Sequence, residues 1–271
     1  MTASAAEPAS APAKFPRSLL RKPSEDAVAR VFCFPYSGVG ASMFNQWPRW
    51  IGEVEVCPVQ LPGRENRFRE GHYGTYQELA ENLADELLPY LDRPAVFFGH
   101  CAGSLPAFET ALRLAELGGP TPREVVVSAQ VAPHHCPNDR FLHMTDEALS
   151  AELSELIVAR GGEAHPMLLE LTLMVLHKDL DANRVYHRAD PVRLPSGITA
   201  LNWSQDPEIE PTELKGWQEY ADRVAFTELP GAHYAFLNAP AELLALLHSL
   251  ALPGAPLPAP ELAPPAEGHL S

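Results

Sequence analysis

A cysteine lies between two glycines in a short turn, after a run of apolar residues and before a predicted helix. Residues 96–104 read VFFGHCAGS, so Cys101 has one glycine two positions before it and another two positions after it. This spacing is typical of a strand-to-helix turn that presents a nucleophile, because glycines leave room around the strained central residue. The start of a helix also favours negative charge, so we expect a lowered pKa for Cys101. The alternative is a buried structural cysteine.

A cysteine nucleophile needs a base that takes its proton and an acid that orients the base. Asp206 follows an apolar run at 198–203, and His233 follows another at 224–229. Both residues therefore come after predicted strands, in the chain order nucleophile, acid, histidine. We expect Cys101, Asp206 and His233 to form a catalytic triad.

Other polar residues suit this chemistry less well. Asp179 and Asp190 lie in a predicted helical segment, which makes them weaker candidates for the acid, and His100 is interpreted as structural. The segment HHCPND at 134–139 contains metal-binding residue types but no second ligand pair at zinc spacing follows it. The sequence therefore predicts no metal site.

The oxyanion that forms during acyl transfer needs two backbone N–H donors. Ala102 directly follows the predicted nucleophile and is expected to supply one donor. The other is expected from Tyr36 or Ser37, in the glycine-containing loop after the apolar run at 29–35. Neither GxGxxG nor GxxxxGK[ST] occurs in that loop, so it does not indicate a nucleotide site.

Alternating apolar and amphipathic segments predict the scaffold that positions these residues. Strands are predicted at 29–35, 55–61, 95–99, 124–130, 198–203 and 224–229, and helices at 75–91, 107–117 and 241–250. This alternation predicts an α/β fold with a mostly parallel central sheet and helices on both faces. Residues 141–192 show two helical patterns without a strand, which suggests a helical lid over a pocket. Ordinary packing of two helices is the alternative.

The two ends of the chain differ in composition from its middle. Residues 1–26 and 251–271 are rich in proline and alanine, and such segments bury too little apolar surface to offset the entropy of ordering. We therefore expect a disordered N-terminal tail at 1–26 and a Pro/Ala-rich C-terminal tail at 251–271. One domain is expected between them, at 27–250.

Charge and composition exclude several classes of protein. The chain carries 20 Lys and Arg against 35 Asp and Glu, a net charge of −15, which argues against binding to nucleic acid or to an anionic membrane surface. No apolar run approaches the ~18–20 residues that a membrane-spanning helix needs. The start of the chain lacks the basic and apolar pattern of a secretory signal, and the four cysteines form no CxxC pair. We therefore expect a cytoplasmic protein.

The motifs resemble a known family, the stand-alone type II thioesterases of nonribosomal peptide and polyketide synthases, which have the α/β-hydrolase fold and a helical lid. The resemblance runs through about 30–245. It rests on FCFPYSGVGASMFNQWP at 32–48, VQLPGRENR at 59–67, VSAQVAPH at 127–134, KDLDANRVY at 178–186, SQDPEI at 204–209 and GAHYAFL at 231–237. It implies that Asp206 is the acid of the triad and His233 the base.

One position departs from the family pattern. The family turn GHSMG reads GHCAG here, so Cys101 stands where a serine is expected. In this respect the chain also resembles dienelactone hydrolase and the aminoacyl shuttle enzymes of some peptide synthetase pathways. An acyl group on a cysteine remains an activated thioester, so we expect its transfer to a second thiol or amine acceptor in natural-product biosynthesis.

Three other functions remain open on the sequence. An editing type II thioesterase would hydrolyse the carrier-bound acyl thioester, since His233 could also deprotonate water. A non-catalytic protein that binds carrier proteins is an alternative of another class. An esterase for small free esters is the third.

The resemblance implies an acyl or peptidyl carrier protein as partner. The carrier brings its own phosphopantetheine, so no metal and no organic cofactor of the chain's own is implied. Carrier proteins are typically acidic, so a basic patch is expected to dock them. The candidates for that patch are Arg64, Arg67 and Arg69. The candidates for an apolar substrate pocket are Met167, Leu168, Leu171 and Met174. The sequence does not indicate the oligomeric state.

Overall fold

The structure, a computed structural model, describes residues 16–159 and 162–254. In these ranges the strands are β1 (Ala29–Phe34), β2 (Trp50–Ile51), β3 (Val54–Pro58), β4 (Ala95–His100), β5 (Glu124–Ser128), β6 (Gly197–Trp203) and β7 (Val224–Leu229). The α-helices are α1 (Tyr76–Leu87), α2 (Ser104–Glu116), α3 (Asp146–Ala159), α4 (Pro166–Val185) and α5 (Ala241–Ala251). Short 3-10 helices lie in several of the connections.

The strands form one sheet in the order β2-β3-β1-β4-β5-β6-β7. All neighbours pair in parallel except β2, which runs antiparallel to β3 at the edge. Every residue of β1, β4, β5 and β6 is buried. Because successive side chains of a strand point to opposite faces, complete burial means that both faces of the sheet are covered. The predicted α/β fold with a mostly parallel sheet is confirmed.

The helices begin and end where local sequence favours it. Thr75 caps α1: its hydroxyl accepts from the N–H of Glu78, and the Glu78 side chain accepts from the N–H of Thr75. The buried side of α1 carries Leu79, Leu83 and Leu87, the spacing of four that predicted the helix. Strand β2 was not predicted, because two residues are too few to show a period.

The two helices of the predicted lid, α3 and α4, lie between β5 and β6 in the chain. They share a small apolar cluster of their own, formed by Phe141, Leu149, Leu153, Leu176 and Leu180. The buried residues of α4 all lie between Val175 and Asn183, in its C-terminal half. The base of the segment is therefore packed against the domain, whereas its tip is exposed.

The predicted N-terminal tail is partly wrong. Ser18 and Leu19 are buried, Leu19 pairs with Val59 in an antiparallel bridge, and Nη2 of Arg21 donates to the carbonyl of Val56. Residues 16–26 are thus part of the packed structure, and composition alone hid the few apolar contacts that hold them. Residues 1–15 lie outside the described residues.

The C-terminal end of the domain lies close to the predicted boundary. Helix α5 continues to Ala251, one residue into the predicted tail, and residues 255–271 lie outside the described residues. Among the described helices, none combines the length and the apolar character needed to traverse a lipid bilayer.

Candidate active site

The backbone around Cys101 forms the expected sharp turn. Cys101 has φ = 49°, in the left-handed region that a residue with a side chain rarely adopts. A Cβ on Gly99 would lie 2.3 Å from the carbonyl oxygen of Gly103, and a Cβ on Gly103 would lie 2.7 Å from the carbonyl oxygen of Phe34. Both glycines are therefore required for β4 to run into α2 at this angle.

The surroundings of the Cys101 sulfur are acidic. The N–H of Ala102 donates to the sulfur, which favours a thiolate. Burial of the thiol opposes this, and so do the carboxylates of Asp139 and Glu208, so that the pKa of Cys101 is raised well above its ordinary value. The expected lowering of this pKa is wrong, because desolvation and nearby negative charge outweigh the start of the helix.

The predicted base and acid contact each other directly. Nδ1 of His233 lies 2.8 Å from Oδ2 of Asp206, and both side chains are almost completely buried. The other oxygen of Asp206 accepts from the N–H of Glu208, which fixes the carboxylate in place. Asp206 follows β6 and His233 follows β7, so the pairing of these two strands brings the residues together.

The buried ring of His100 packs against the ring of His233. Its ring stacks on Phe236, with centroids 4.0 Å apart, and packs edge-to-face against His233 at 4.5 Å. Nδ1 of His100 lies 2.9 Å from the hydroxyl of Ser128. Burial lowers the pKa of His100 well below its ordinary value, which keeps this ring neutral. This environment agrees with the structural interpretation of His100.

Cys101 and His233 line the same cavity, which has a volume of about 270 Å³. Nε2 of His233 is buried and makes no hydrogen bond within the described residues. It lies 3.4 Å from Oε2 of Glu208. Catalytic hydrogen bonds are often long before substrate binds, so this arrangement allows Nε2 to exchange a proton with a group in the cavity.

Sequence reasoning missed Glu208 and Arg140 and considered Asp139 only as a metal ligand. All three line the cavity. Nε of Arg140 lies 3.0 Å from Oε1 of Glu208, and Nη2 of Arg140 lies 2.6 Å from Oε2 of Glu152. Burial raises the pKa of both Asp139 and Glu208. The position of Glu208 two residues after Asp206 was the one sequence signal that could have indicated it.

The loop after β1 lies against the turn that carries Cys101. Register places Phe34, the last residue of β1, opposite Gly99 of β4. Tyr36 is buried, with its ring 5.8 Å from that of Tyr234, and the hydroxyl of Ser37 lies 3.4 Å from Oδ2 of Asp139. The predicted oxyanion donors therefore belong to two backbone segments that touch each other.

Two of the four predicted pocket residues line the same cavity, and a third lines a separate groove. Leu168 and Leu171 contribute to a second, apolar cavity of about 410 Å³, which also reaches Tyr36. Met167 is 65% exposed, and Met174 lines a different groove on the outside of α4, beside His177. The prediction for Met167 and Met174 is wrong, because neither residue lines the cavity that Leu168 and Leu171 share.

The predicted docking patch is wrong for two of its three arginines. Arg64 and Arg67 are buried, at 3% and 9% exposure. Arg64 binds Asp179 with both Nη atoms, and Arg67 binds Glu70 and the hydroxyl of Ser18. The charges on these arginines are therefore neutralised inside the protein, whereas Arg69 is exposed.

The three cysteines other than Cys101 are buried. All four cysteines are free thiols. Within the described residues, no group of three or more His, Cys, Asp or Glu side chains is arranged to hold a metal ion.

Comparison with known proteins points to one family. Residues 29–250 match the family described as "Thioesterase domain". The chain is 32% identical over 241 residues to linear gramicidin dehydrogenase LgrE of Brevibacillus parabrevis, covering 84% of this chain and 89% of the relative.

Solved structures agree with this match. The thioesterase RedJ of the prodiginine pathway in Streptomyces coelicolor superposes with a TM-score of 0.66 at 35% identity, covering 83% of this chain and 86% of that one. The type II thioesterase BorB of the borrelidin cluster superposes with a TM-score of 0.72 at 27% identity, covering 85% and 95%.

Proposed function

The chain belongs to the thioesterase family, and we propose that it accepts an acyl or aminoacyl group onto Cys101 from the phosphopantetheine thioester of a carrier protein. It then transfers the group to a second thiol or amine acceptor. The single observation that supports this proposal most is the cavity shared by Cys101 and His233, with His233 held by Asp206 at 2.8 Å. A cysteine in this position keeps the acyl group activated.

The first half-reaction needs one proton transfer in each direction. Nε2 of His233 takes the proton from the thiol of Cys101, and the thiolate attacks the thioester carbonyl. The N–H of Ala102, with the N–H of Tyr36 or Ser37, stabilises the oxyanion. When the intermediate collapses, the carbon–sulfur bond to the carrier breaks, and His233 returns the proton to the leaving thiolate.

The raised pKa of Cys101 fits this sequence of steps. Burial and neighbouring carboxylates keep the resting thiol protonated, so the thiolate forms together with the imidazolium of His233. Asp206 stabilises that imidazolium through Nδ1. The proton therefore passes from the sulfur to His233 as the thiolate attacks the carbonyl.

The second half-reaction distinguishes transfer from hydrolysis. Exchange between two thioesters is nearly thermoneutral, because the same type of bond is broken and formed. Water is the competing acceptor, and hydrolysis by an editing type II thioesterase is the second candidate. It is favoured by the relationship to the thioesterases RedJ and BorB.

We extend the proposal to the partner and the compartment. The partner is an acyl or peptidyl carrier protein, whose phosphopantetheine supplies the reacting thiol, and the protein needs no cofactor of its own. Arg69 is the exposed member of the predicted docking patch and remains a candidate for contact with an acidic carrier. The four free thiols suit a reducing cytoplasm.

One experiment tests the proposal and separates its two outcomes. An acyl-loaded carrier protein is incubated with the enzyme, with and without a second unloaded carrier, and all three proteins are followed by intact mass spectrometry. Transfer predicts an acyl adduct on Cys101 and then on the second carrier. Release of free acid at the same rate with and without the acceptor would establish hydrolysis instead. The matched control is Cys101→Ala, which must form no adduct.

A further inference from the structure

The side chain of Asp179 lies at the centre of a buried polar cluster that the proposed reaction does not use. Asp179 is 1% exposed, although it lies on α4, the second helix of the predicted lid. The partners of its carboxylate are the N–H of Gly38 at 2.7 Å, Nη1 and Nη2 of Arg64 at 2.7 and 2.8 Å, Nε2 of His72 at 2.8 Å and the hydroxyl of Tyr73 at 2.8 Å. These contacts saturate both oxygens.

The cluster forms hydrogen bonds to two backbone groups of the loop after β1. Oδ2 of Asp179 accepts from the N–H of Gly38. Nη1 of Arg64, which binds the same oxygen, also donates to the carbonyl of Val39 at 3.0 Å. The N–H of Gly38 and the C=O of the next residue, Val39, are therefore both tied to one ion pair.

Packing restrains the same loop from the side of α4. Gly38 has φ = +82°, and a Cβ there would lie 3.1 Å from Cβ of Leu176, one turn before Asp179. The backbone of Gly38 therefore packs closely against α4, which limits its movement. Tyr36 and Ser37, the predicted oxyanion donors, are the two residues that come directly before it.

The charge of Asp179 is stable in this setting. Burial by itself would raise the pKa of the carboxyl, but Arg64 and the hydrogen bonds from His72 and Gly38 hold it well below its ordinary range. The carboxylate therefore remains an acceptor for the N–H of Gly38 at any pH near neutral. The loop is held by an ionic contact that does not depend on substrate.

We propose that Asp179 is a positioning residue, which acts through Gly38 to keep the N–H groups of Tyr36 and Ser37 aimed at the oxyanion. This inference rests on the proposed function, because it assigns those N–H groups to the oxyanion of the thioester reaction. The base of α4 would then hold the loop that carries the oxyanion donors, and its exposed tip would cover the apolar cavity. Pre-organised donors cost no reorganisation during the reaction, so their loss lowers the rate of acylation rather than the affinity for substrate.

The test compares two reactions of the same sulfur atom. Acylation of Cys101 by a thioester develops an oxyanion, whereas alkylation by iodoacetamide displaces iodide from carbon and develops none. For Asp179→Asn we expect acylation to slow about 100-fold, the typical effect of losing one oxyanion donor. We expect alkylation of Cys101, followed by peptide mapping, and the KM for the thioester to change little.

Glu109→Gln is the matched control. Glu109 is 3% exposed and binds Nε and Nη2 of Arg188 at 2.5 and 2.7 Å, so its substitution also breaks a buried bidentate ion pair. It lies on α2 and touches no residue of the loop after β1 in these contacts. A general loss of stability would affect both variants alike, whereas a positioning role slows acylation in Asp179→Asn alone.

A milder variant keeps the test decisive if Asp179→Asn does not fold. Arg64→Lys retains the buried charge but loses the two-pronged contact, and we expect acylation to slow about 10-fold with alkylation unchanged. If the folded Arg64→Lys variant is acylated at the rate of the unsubstituted protein, the inference about Asp179 is overturned and the proposed function is unaffected. If the unsubstituted protein is alkylated but never acylated, the proposed function fails and the inference falls with it.

Discussion

Substitution of Gly103 tests the site sharply, because at this residue the turn that carries Cys101 lies very close to the loop after β1. An added Cβ at this position would lie 2.7 Å from the carbonyl oxygen of Phe34 and 2.8 Å from that of Pro35. Contacts between carbon and carbonyl oxygen normally begin near about 3.3 Å. Gly103→Ala must therefore push the turn of Cys101 away from the loop after β1 by about half an ångström. That shift widens the gap between Ala102 and the donors on the loop.

The expected effect of Gly103→Ala falls on both stability and rate. Overpacking of this kind costs about 1–3 kcal/mol of unfolding free energy. A shift of about half an ångström in the oxyanion donors should slow acylation roughly 10- to 100-fold, equivalent to about 1.4–2.7 kcal/mol in the barrier. Alkylation by iodoacetamide needs no such donors and should slow much less.

The assay pairs Gly103→Ala with Gly71→Ala. An added Cβ on Gly71 meets no atom within 4 Å, so this variant undergoes the same chemical change without crowding. Single-turnover acylation by a small acyl thioester is followed by mass spectrometry, and stability by urea denaturation. If Gly103→Ala matches Gly71→Ala in both measurements, the two segments are not in the close contact described here, and the account of the oxyanion site is wrong.

Further predictions concern the triad, the acidic cavity and docking. Asp206→Asn should slow acylation by about 10³- to 10⁴-fold, measured by rapid quench, because His233 loses the carboxylate that orients it. Because the pKa of Cys101 is raised, alkylation by iodoacetamide should increase only at a pH above the ordinary cysteine pKa of about 8.5. An increase centred near about 8.5 would contradict the effect assigned to the neighbouring carboxylates. Glu208→Gln should move the increase in alkylation to lower pH, because it removes a negative charge beside the thiolate. Arg69→Glu should raise the KM for a carrier-bound thioester but leave a small thioester unaffected, and equal effects on both would exclude docking there. Arg67→Glu should instead destabilise the protein by about 1–3 kcal/mol in urea denaturation, because it removes a buried guanidinium that binds Ser18 and the carbonyl of Gln60 and places a second carboxylate beside Glu70.

The carboxylates of Asp139 and Glu208, which line the cavity with Cys101, bear on why a cysteine can replace the serine of the family. A thiol is far more acidic than a hydroxyl, so a cysteine in an open site forms some thiolate near neutral pH even without substrate. Asp139 and Glu208 oppose that ionisation in the described structure. In the proposed reaction the surroundings raise the pKa of the Cys101 thiol, and His233 takes its proton.

Local patterns determined the parts of the protein that short-range chemistry controls. The strand ends, the glycines around Cys101 and the order of Cys101, Asp206 and His233 were readable, because each depends on residues within a few positions or on parallel strands ending at one edge. The α/β fold followed from the alternation of strands and helices, and the family resemblance from uninterrupted motifs.

Only the tertiary structure decided the electrostatics of the site and the roles of distant charges. The pKa of Cys101 depends on Asp139 and Glu208, which reach it from other segments of the chain. Arg64 was interpreted as a surface residue until folding placed it against Asp179, more than a hundred positions away. Charge and burial are properties of three-dimensional neighbours, and composition does not reveal which carboxylate a buried arginine will meet.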